Sequence, residues 1–270
     1  MKNRLLRFLP AVLVAVACLY TYKLEVPETY TYPAAGIAAL SAATQNGTIS
    51  VTTAADTTIT VGVLKSAYGR NKADAEKAIT NVAYSGTIIG DELRVKAEMP
   101  SGSRPYGASF TITAPESTGL VLSTTNGSIS VSNMVGAIDA GTTNGGIELT
   151  GTAGTTSLST TNGALKVSVH RGGIEGTTTN GAVDCDLVEL GPTDAVTLET
   201  TNGAVTLLLP ADVSATIDAT NTNASITVLD FAGVVYEVQE EHHVRARIGS
   251  GTSSVTIVTT NGGITVRARS

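Results

Sequence analysis

The tetrapeptide Thr-Thr-Asn-Gly occurs six times in this 270-residue chain, with its Asn at 126, 144, 162, 180, 202 and 261. Two variants, around Asn46 and Asn223, extend the series. From Asn126 onward the intervals are 18, 18, 18, 22, 21 and 38 residues, so an 18-residue unit repeats and the later copies carry insertions. A unit this short cannot bury an apolar face by itself, and it becomes stable only against neighbouring copies.

Each copy reads as two strands joined at its Asn-Gly. The third and fifth residues after the Asn are apolar throughout, as in Ile129/Val131, Ile147/Leu149, Leu165/Val167 and Ile264/Val266. The residue between them is polar: Ser130, Glu148, Lys166 and Thr265. Alternation with period two marks a strand with one buried face. A second alternating segment precedes each Asn, with Leu120/Leu122, Ile138/Ala140 and Val196/Leu198 at six and four residues before it. Asn-Gly is also a strong hairpin signal, so an antiparallel sandwich or barrel is the alternative. Equivalent residues at fixed spacing favour an all-β parallel β-solenoid of roughly 18-residue coils with Asn-Gly corners. In such a stack the side chains of Asn126, Asn144, Asn162, Asn180, Asn202, Asn223 and Asn261 superpose in a hydrogen-bonded ladder, as stacked amides do in cross-β structures. Thr125, Thr143, Thr161, Thr179 and Thr201 then point outward at one level beside it, as an adjacent ladder.

Charge and composition exclude several functions. The chain has 17 basic and 23 acidic residues and a net charge of −6, the opposite of a nucleic-acid footprint. Two Cys and three His leave no disulfide framework or zinc ribbon and little material for a metal centre, and no cofactor is expected.

The first residues form an address. Lys2, Arg4 and Arg7 precede the apolar run Ala11–Ala17, which is too short to span a bilayer as a helix. Ala15-Val16-Ala17 followed by Cys18 resembles a bacterial lipoprotein processing site, in which the Cys thiol is acylated. An ordinary cleavage and an uncleaved anchor are the alternatives, and all three export the remainder. The reading is therefore a signal peptide at 1–17, a tether or first strand at 18–33, and one solenoid domain at 34–270. The four tyrosines of residues 20–33 suit a membrane surface if that segment is a tether.

Two stretches interrupt the repeat, at about 62–108 and 230–254. In the first, residues 71–81 predict a short helix capped by Asn71, with Asp74 three residues on and Ile79 and Val82 packing it onto one end of the stack. Strands are expected at Glu92–Glu98 and Ser109–Ala114. In the second, Val234–Val238 and His243–Ile248 predict a strand pair with Glu240-Glu241-His242-His243 at its tip. The C-terminus is expected to end on the last coil, with Arg267 and Arg269 guarding its edge.

Candidate chemistry is sparse. Outward acids include Asp139, Glu148, Glu175, Asp184, Asp186 and Glu199. Glu148 and Asp184 fall two coils apart with Lys166 between them, which reads as a charge ladder before it reads as an acid–base pair. Adjacent His242 and His243 point to opposite faces and chelate poorly. His170, in a Gly-rich turn, is expected to be exposed. Cys185 fills a slot that Val or Leu fills elsewhere, so it reads as a core residue. The Thr row either stabilises the sheet or binds ice or carbohydrate.

The recurring motif, the Leu207-Leu208-Leu209-Pro210 segment and Ile248-Gly249-Ser250-Gly251 before the final copy together resemble the bacterial putative-adhesin repeat family, over residues 34–270. That resemblance implies a β-solenoid of the cell envelope and brings no catalytic residues. The expected function is a non-enzymatic, exported scaffold, adhesion or surface-interaction module. Its partner would be an envelope component, a glycan or protein, and its membrane contact the lipid on Cys18. Self-association through the solenoid ends is a further expectation. The alternative is a polysaccharide-processing glycosidase or lyase on the same scaffold.

Overall fold

The computed structural model describes residues 20–54 and 57–269. The expected leader and Cys18 lie outside the described residues. The chain opens with β1 (Tyr22–Pro33), β2 (Ala39–Asn46), β3 (Ile49–Thr53), β4 (Thr58–Gly69), helix α1 (Lys72–Ile79), β5 (Ala83–Ile89), β6 (Glu92–Glu98) and β7 (Tyr106–Ala114). Five regular coils follow: β8 (Gly119–Asn126) with β9 (Ile129–Ser132), β10 (Ile138–Asn144) with β11 (Ile147–Thr150), β12 (Thr156–Asn162) with β13 (Leu165–Arg171), β14 (Ile174–Asn180) with β15 (Val183–Glu189), and β16 (Ala195–Asn202) with β17 (Val205–Leu209). The last strands are β18 (Ala215–Thr220), β19 (Ile226–Leu229), β20 (Val235–Gln239), β21 (His243–Ile248), β22 (Ser253–Thr259) and β23 (Ile264–Ala268).

The parallel solenoid is borne out. Strands ending at the Asn join one 12-stranded sheet and strands following it join an 11-stranded sheet. Successive coils pair in parallel with equivalent residues opposite, such as Ile138 with Thr156 and Ile147 with Leu165. The inner faces of the two sheets meet in one apolar core that includes Leu122, Ile129, Ile147, Leu158, Leu165, Val183, Leu198 and Val205. Each fully buried aliphatic side chain contributes roughly 1.5–3 kcal/mol before the entropy of ordering the chain is counted.

Both ends depart from simple stacking order. The C-terminal coil is not the last one in space: β22 lies between β16 and β18, and β23 between β17 and β19. The terminal copy is therefore an interior rung, and the Asn223 coil lies outside it. Arg267 and Arg269 consequently guard no edge. Arg267 Nε pairs with Asp230 Oδ2 at 2.5 Å, and Arg269 Nε lies 2.6 Å from Asp186 Oδ1. The N-terminal end repeats this arrangement. The coil of β2 and β3 is flanked on its outer side by β6 and β7, so the first interruption contains a complete rung. Antiparallel strands then close the ends: β4 and β1 beyond β7, β5 beyond β6, and β21 and β20 beyond β18. Helix α1 starts one residue after its expected cap, Asn71, whose side chain accepts from the Asp74 N–H at 2.9 Å. It packs on β1 and β4 and buries Ala75 and Ala78.

The corner opposite the Asn is built from left-handed residues. Asn133 (φ 56°), Gly151 (φ 64°) and Val169 (φ 57°) occupy it in three successive coils. The residue after each of them, Met134, Thr152 and His170, is fully buried. Sequence reading placed His170 in solvent. A register shift in the β13–β15 pairing at Val167–His170 turns it inward instead, opposite Leu187.

Candidate functional site

The repeated tetrapeptide has four distinct roles. The first Thr points inward and donates to the Gly carbonyl of the preceding coil: Thr142 to Gly127, Thr160 to Gly145, Thr178 to Gly163, each at 2.9 Å. The second Thr points outward. The Asn Nδ2 donates to the Asn Oδ1 of the preceding coil, as from Asn162 to Asn144 and from Asn180 to Asn162, both at 2.9 Å. The ladder runs Asn46, Asn126, Asn144, Asn162, Asn180, Asn202, Asn261, Asn223, so the interior placement of the last coil leaves it unbroken. The Gly is required by space. A Cβ at Gly163 would meet the Gly145 carbonyl oxygen at 1.9 Å, and one at Gly145 would meet that of Gly127 at 2.1 Å. From Asn126 onward the ladder residues are exposed, and Asn46 at its end is half-buried, in contrast to a ladder inside the core.

Sequence reasoning located the Asn column and missed the inward Thr. The signal was present in the strict alternation, which puts the residue two before each Asn on the same face as Leu122 and Leu158. Thr125, Thr143, Thr161, Thr179 and Thr201 are all exposed on the outer face of the 12-stranded sheet. Ser123, Ser159 and Thr177 stand two residues earlier on that face, where Gly141 and Glu199 interrupt the second row. Neighbouring coils place equivalent hydroxyls about 4.8 Å apart.

The acids are spread over this scaffold. Glu148, Lys166 and Asp184 occupy one register across three coils, and Lys166 Nζ lies 3.2 Å from Glu148 Oε1. Asp139 and Glu175 are likewise separated by Ser157. Asp186 and Asp230 line a cleft of about 620 Å³ beside Leu208, in which each is paired with an Arg. Glu199 lies in the interrupted hydroxyl row. At the C-terminal end His243 Nε2 lies 3.0 Å from Asp218 Oδ1, and His242 Nδ1 lies 2.9 Å from Asn221 Oδ1, so the two imidazoles address separate partners. Among the described residues no group of three or more His, Cys, Asp or Glu is assembled as a metal site. Cys185 is buried at the core position read from sequence, and burial pushes its thiol well above the ordinary range. His170 Nδ1 lies 2.9 Å from Thr152 Oγ1, while Nε2 is buried without a hydrogen-bond partner. Desolvation holds its imidazole below the usual value, partly offset by nearby backbone groups and Asp194.

A family model described as Toastrack DUF4097 matches residues 22–267, the span of this solenoid. The chain belongs to the Toastrack DUF4097 family. The resemblance read from the motif copies, to a repeat family of unknown function, is borne out. No curated protein matches this Toastrack sequence. Crystal structures similar to the Toastrack chain include a putative cell adhesion protein of Clostridium sporogenes, 14% identical, covering 91% of this chain and 100% of that one with a TM-score of 0.39. A putative adhesin of Bacteroides fragilis is 12% identical, with 90% and 97% coverage and a TM-score of 0.38. A putative lipid binding protein of Parabacteroides distasonis is 10% identical, with 89% and 96% coverage and a TM-score of 0.32.

Proposed function

We propose that this Toastrack chain is an exported, non-enzymatic module of the cell envelope. It is tethered to a membrane through an acylated Cys18 and presents its solenoid as a rigid surface for an envelope glycan or protein. The observation that supports this reading most directly is the outer face of the 12-stranded sheet. Five exposed Thr hydroxyls lie at one level beside an exposed amide ladder that bonds each coil to the next. Such a face is pre-organised, so a partner that binds it orders few side chains on this side. Regular spacing suits a partner that is itself a repeating polymer.

The test has two arms. Mass spectrometry of the mature N-terminus is expected to find Cys18 as the first residue, carrying lipid. Incubation with envelope polysaccharides is expected to show binding without shortening of the polymer, and binding is expected to be lost when Thr143 and Thr161 are both replaced by Lys. Polymer shortened by the purified protein would overturn the non-enzymatic reading. Binding unaffected by the double variant would remove the Thr face from it.

A further inference from the structure

The end of the solenoid from which the chain leads back to Cys18 gathers Tyr rings and basic side chains from several segments. Tyr20 is two residues from Cys18, so at most about 7 Å of extended chain separates them. Around Tyr20 the topology gathers residues from four segments. Tyr22 and Lys23 of β1 pair with Gly69 and Tyr68 of β4. Lys23 Nζ stands 6.0 Å over the Tyr68 ring, and the Arg104 guanidinium 4.7 Å over the Tyr20 ring. Arg104 and Arg70 both pair with Asp74 in the first turn of α1. Lys72 and Lys77 lie exposed on the same helix.

Two features of this corner bear on what it meets. The first is charge. Lys23, Arg70, Lys72, Lys77 and Arg104 outnumber Glu25, Asp74 and Glu76, five to three, on a chain whose formal charge is −6. Glu25, Asp74 and Glu76 each have a basic partner, whereas Lys77 has no carboxylate within ion-pair distance among the described residues. The second is the phenol group. Tyr22 is 39% exposed, and amphipathic aromatic rings with adjacent Lys and Arg are the composition that settles at the headgroup level of a bilayer.

From the short reach to Cys18 and this local excess of positive charge, we propose that the corner formed by Tyr20, Tyr22, Lys23, Lys72 and Lys77 docks on the surface of an anionic phospholipid bilayer. The inference rests on the tethered reading above and adds a second, non-covalent contact to it. A single lipid-type anchor is strengthened by an adjacent basic patch, and each base near an anionic surface adds to the attraction. Docking fixes the direction in which the solenoid leaves the membrane, because the patch and the tether share one corner.

The chain contains no Trp, so Tyr22→Trp creates a single, selectively excited tryptophan at the patch and Thr143→Trp one on the coil of Asn144. The mature protein carrying each probe is mixed with vesicles of phosphatidylcholine alone, or of phosphatidylcholine with about one-third phosphatidylglycerol, containing brominated acyl chains. The Tyr22→Trp signal is expected to be quenched at least twofold more on the anionic vesicles than on the neutral ones. The Thr143→Trp signal is expected to stay unquenched on both. Adding Lys23→Gln, Lys72→Gln and Lys77→Gln, which leaves the Arg–Asp74 pairs in place, is expected to abolish the difference, as is about 1 M salt. Equal quenching on neutral and anionic vesicles, or quenching that survives the triple substitution, would overturn the proposal. The mass of the same preparation separates it from the tethered reading. A lipidated protein without anionic-selective quenching defeats the patch alone. An unlipidated protein that still shows it defeats the tether and keeps the patch.

Discussion

A methyl group added at Gly163 would stand 1.9 Å from the Gly145 carbonyl oxygen, and that oxygen is fixed by the backbone of its own coil. Gly163→Ala is therefore expected to cost about 3 kcal/mol or more. Thr160→Val leaves the Gly145 carbonyl without its inward partner and costs about 1–3 kcal/mol. Asn162→Ala removes two ladder hydrogen bonds at an exposed position and costs about 0.5–1.5 kcal/mol. Urea denaturation of the three variants checks this order, and an Asn162→Ala loss larger than that of Gly163→Ala would contradict it. His170 gives the molecule an acid-sensitive point. Its folded imidazole is depressed by burial, so the unfolded chain takes up the proton first as pH falls. Stability from this group is complete above the ordinary value near 6.5 and declines below it, by at most about 1.4 kcal/mol per pH unit, until the folded imidazole is itself protonated. His170→Met, which copies Met134 of the same column, is expected to flatten the fall in urea midpoint between pH 7 and pH 5. Equal slopes in both proteins would show that other groups carry it.

Strands were legible where the repeat is regular, because alternation fixes which face is buried and a one-residue slip would expose every apolar residue. The β21 strand and the cap at Asn71 were legible for the same local reasons. What sequence did not reveal is non-local. Val169 gives no sign that it adopts φ 57°, an unusual conformation for a β-branched residue that costs about 1–2 kcal/mol, and so the inward turn of His170 was hidden. Nor does a row of hydroxyls state what it faces, so the candidate surface was visible as a pattern and its partner was not. Helix α1 illustrates a local device with a global contact. The Asp74 carboxylate accepts from Arg70 N and from Arg104 Nη2, and these bonds, the Arg70 backbone one foremost, lower it to about 2. With a depressed folded value, its contribution is present above about pH 4 and is lost as pH falls towards 2. Amide shifts of Ala75 and Ala78 are expected to titrate with a midpoint near 2, and Asp74→Asn to abolish that titration. A midpoint near 4 would show that the carboxylate is not held by these donors.

Interior placement of the last coil changes how the molecule comes apart. In a simple stack, removing the final copy leaves every other contact in place. Here β22 is the parallel neighbour of both β16 and β18, and β23 that of both β17 and β19. Ending the chain at Gly251 is expected to release the whole segment from Pro210 onward to limited proteolysis while the coils of Asn126 to Asn180 stay protected. Resistance of that segment would mean that β18 and β19 re-pair directly with β16 and β17. The same arrangement confines irregular closures to the two extremities and leaves 18-residue units of equivalent register from Asn126 to Asn180 between them. These units share one backbone path, so gene duplication between Asn126 and Asn180 would lengthen the rod by about 4.8 Å per added unit without altering either closure. The separation of the two closures is thus an adjustable dimension, set by the number of units between them and independent of how either closure is built.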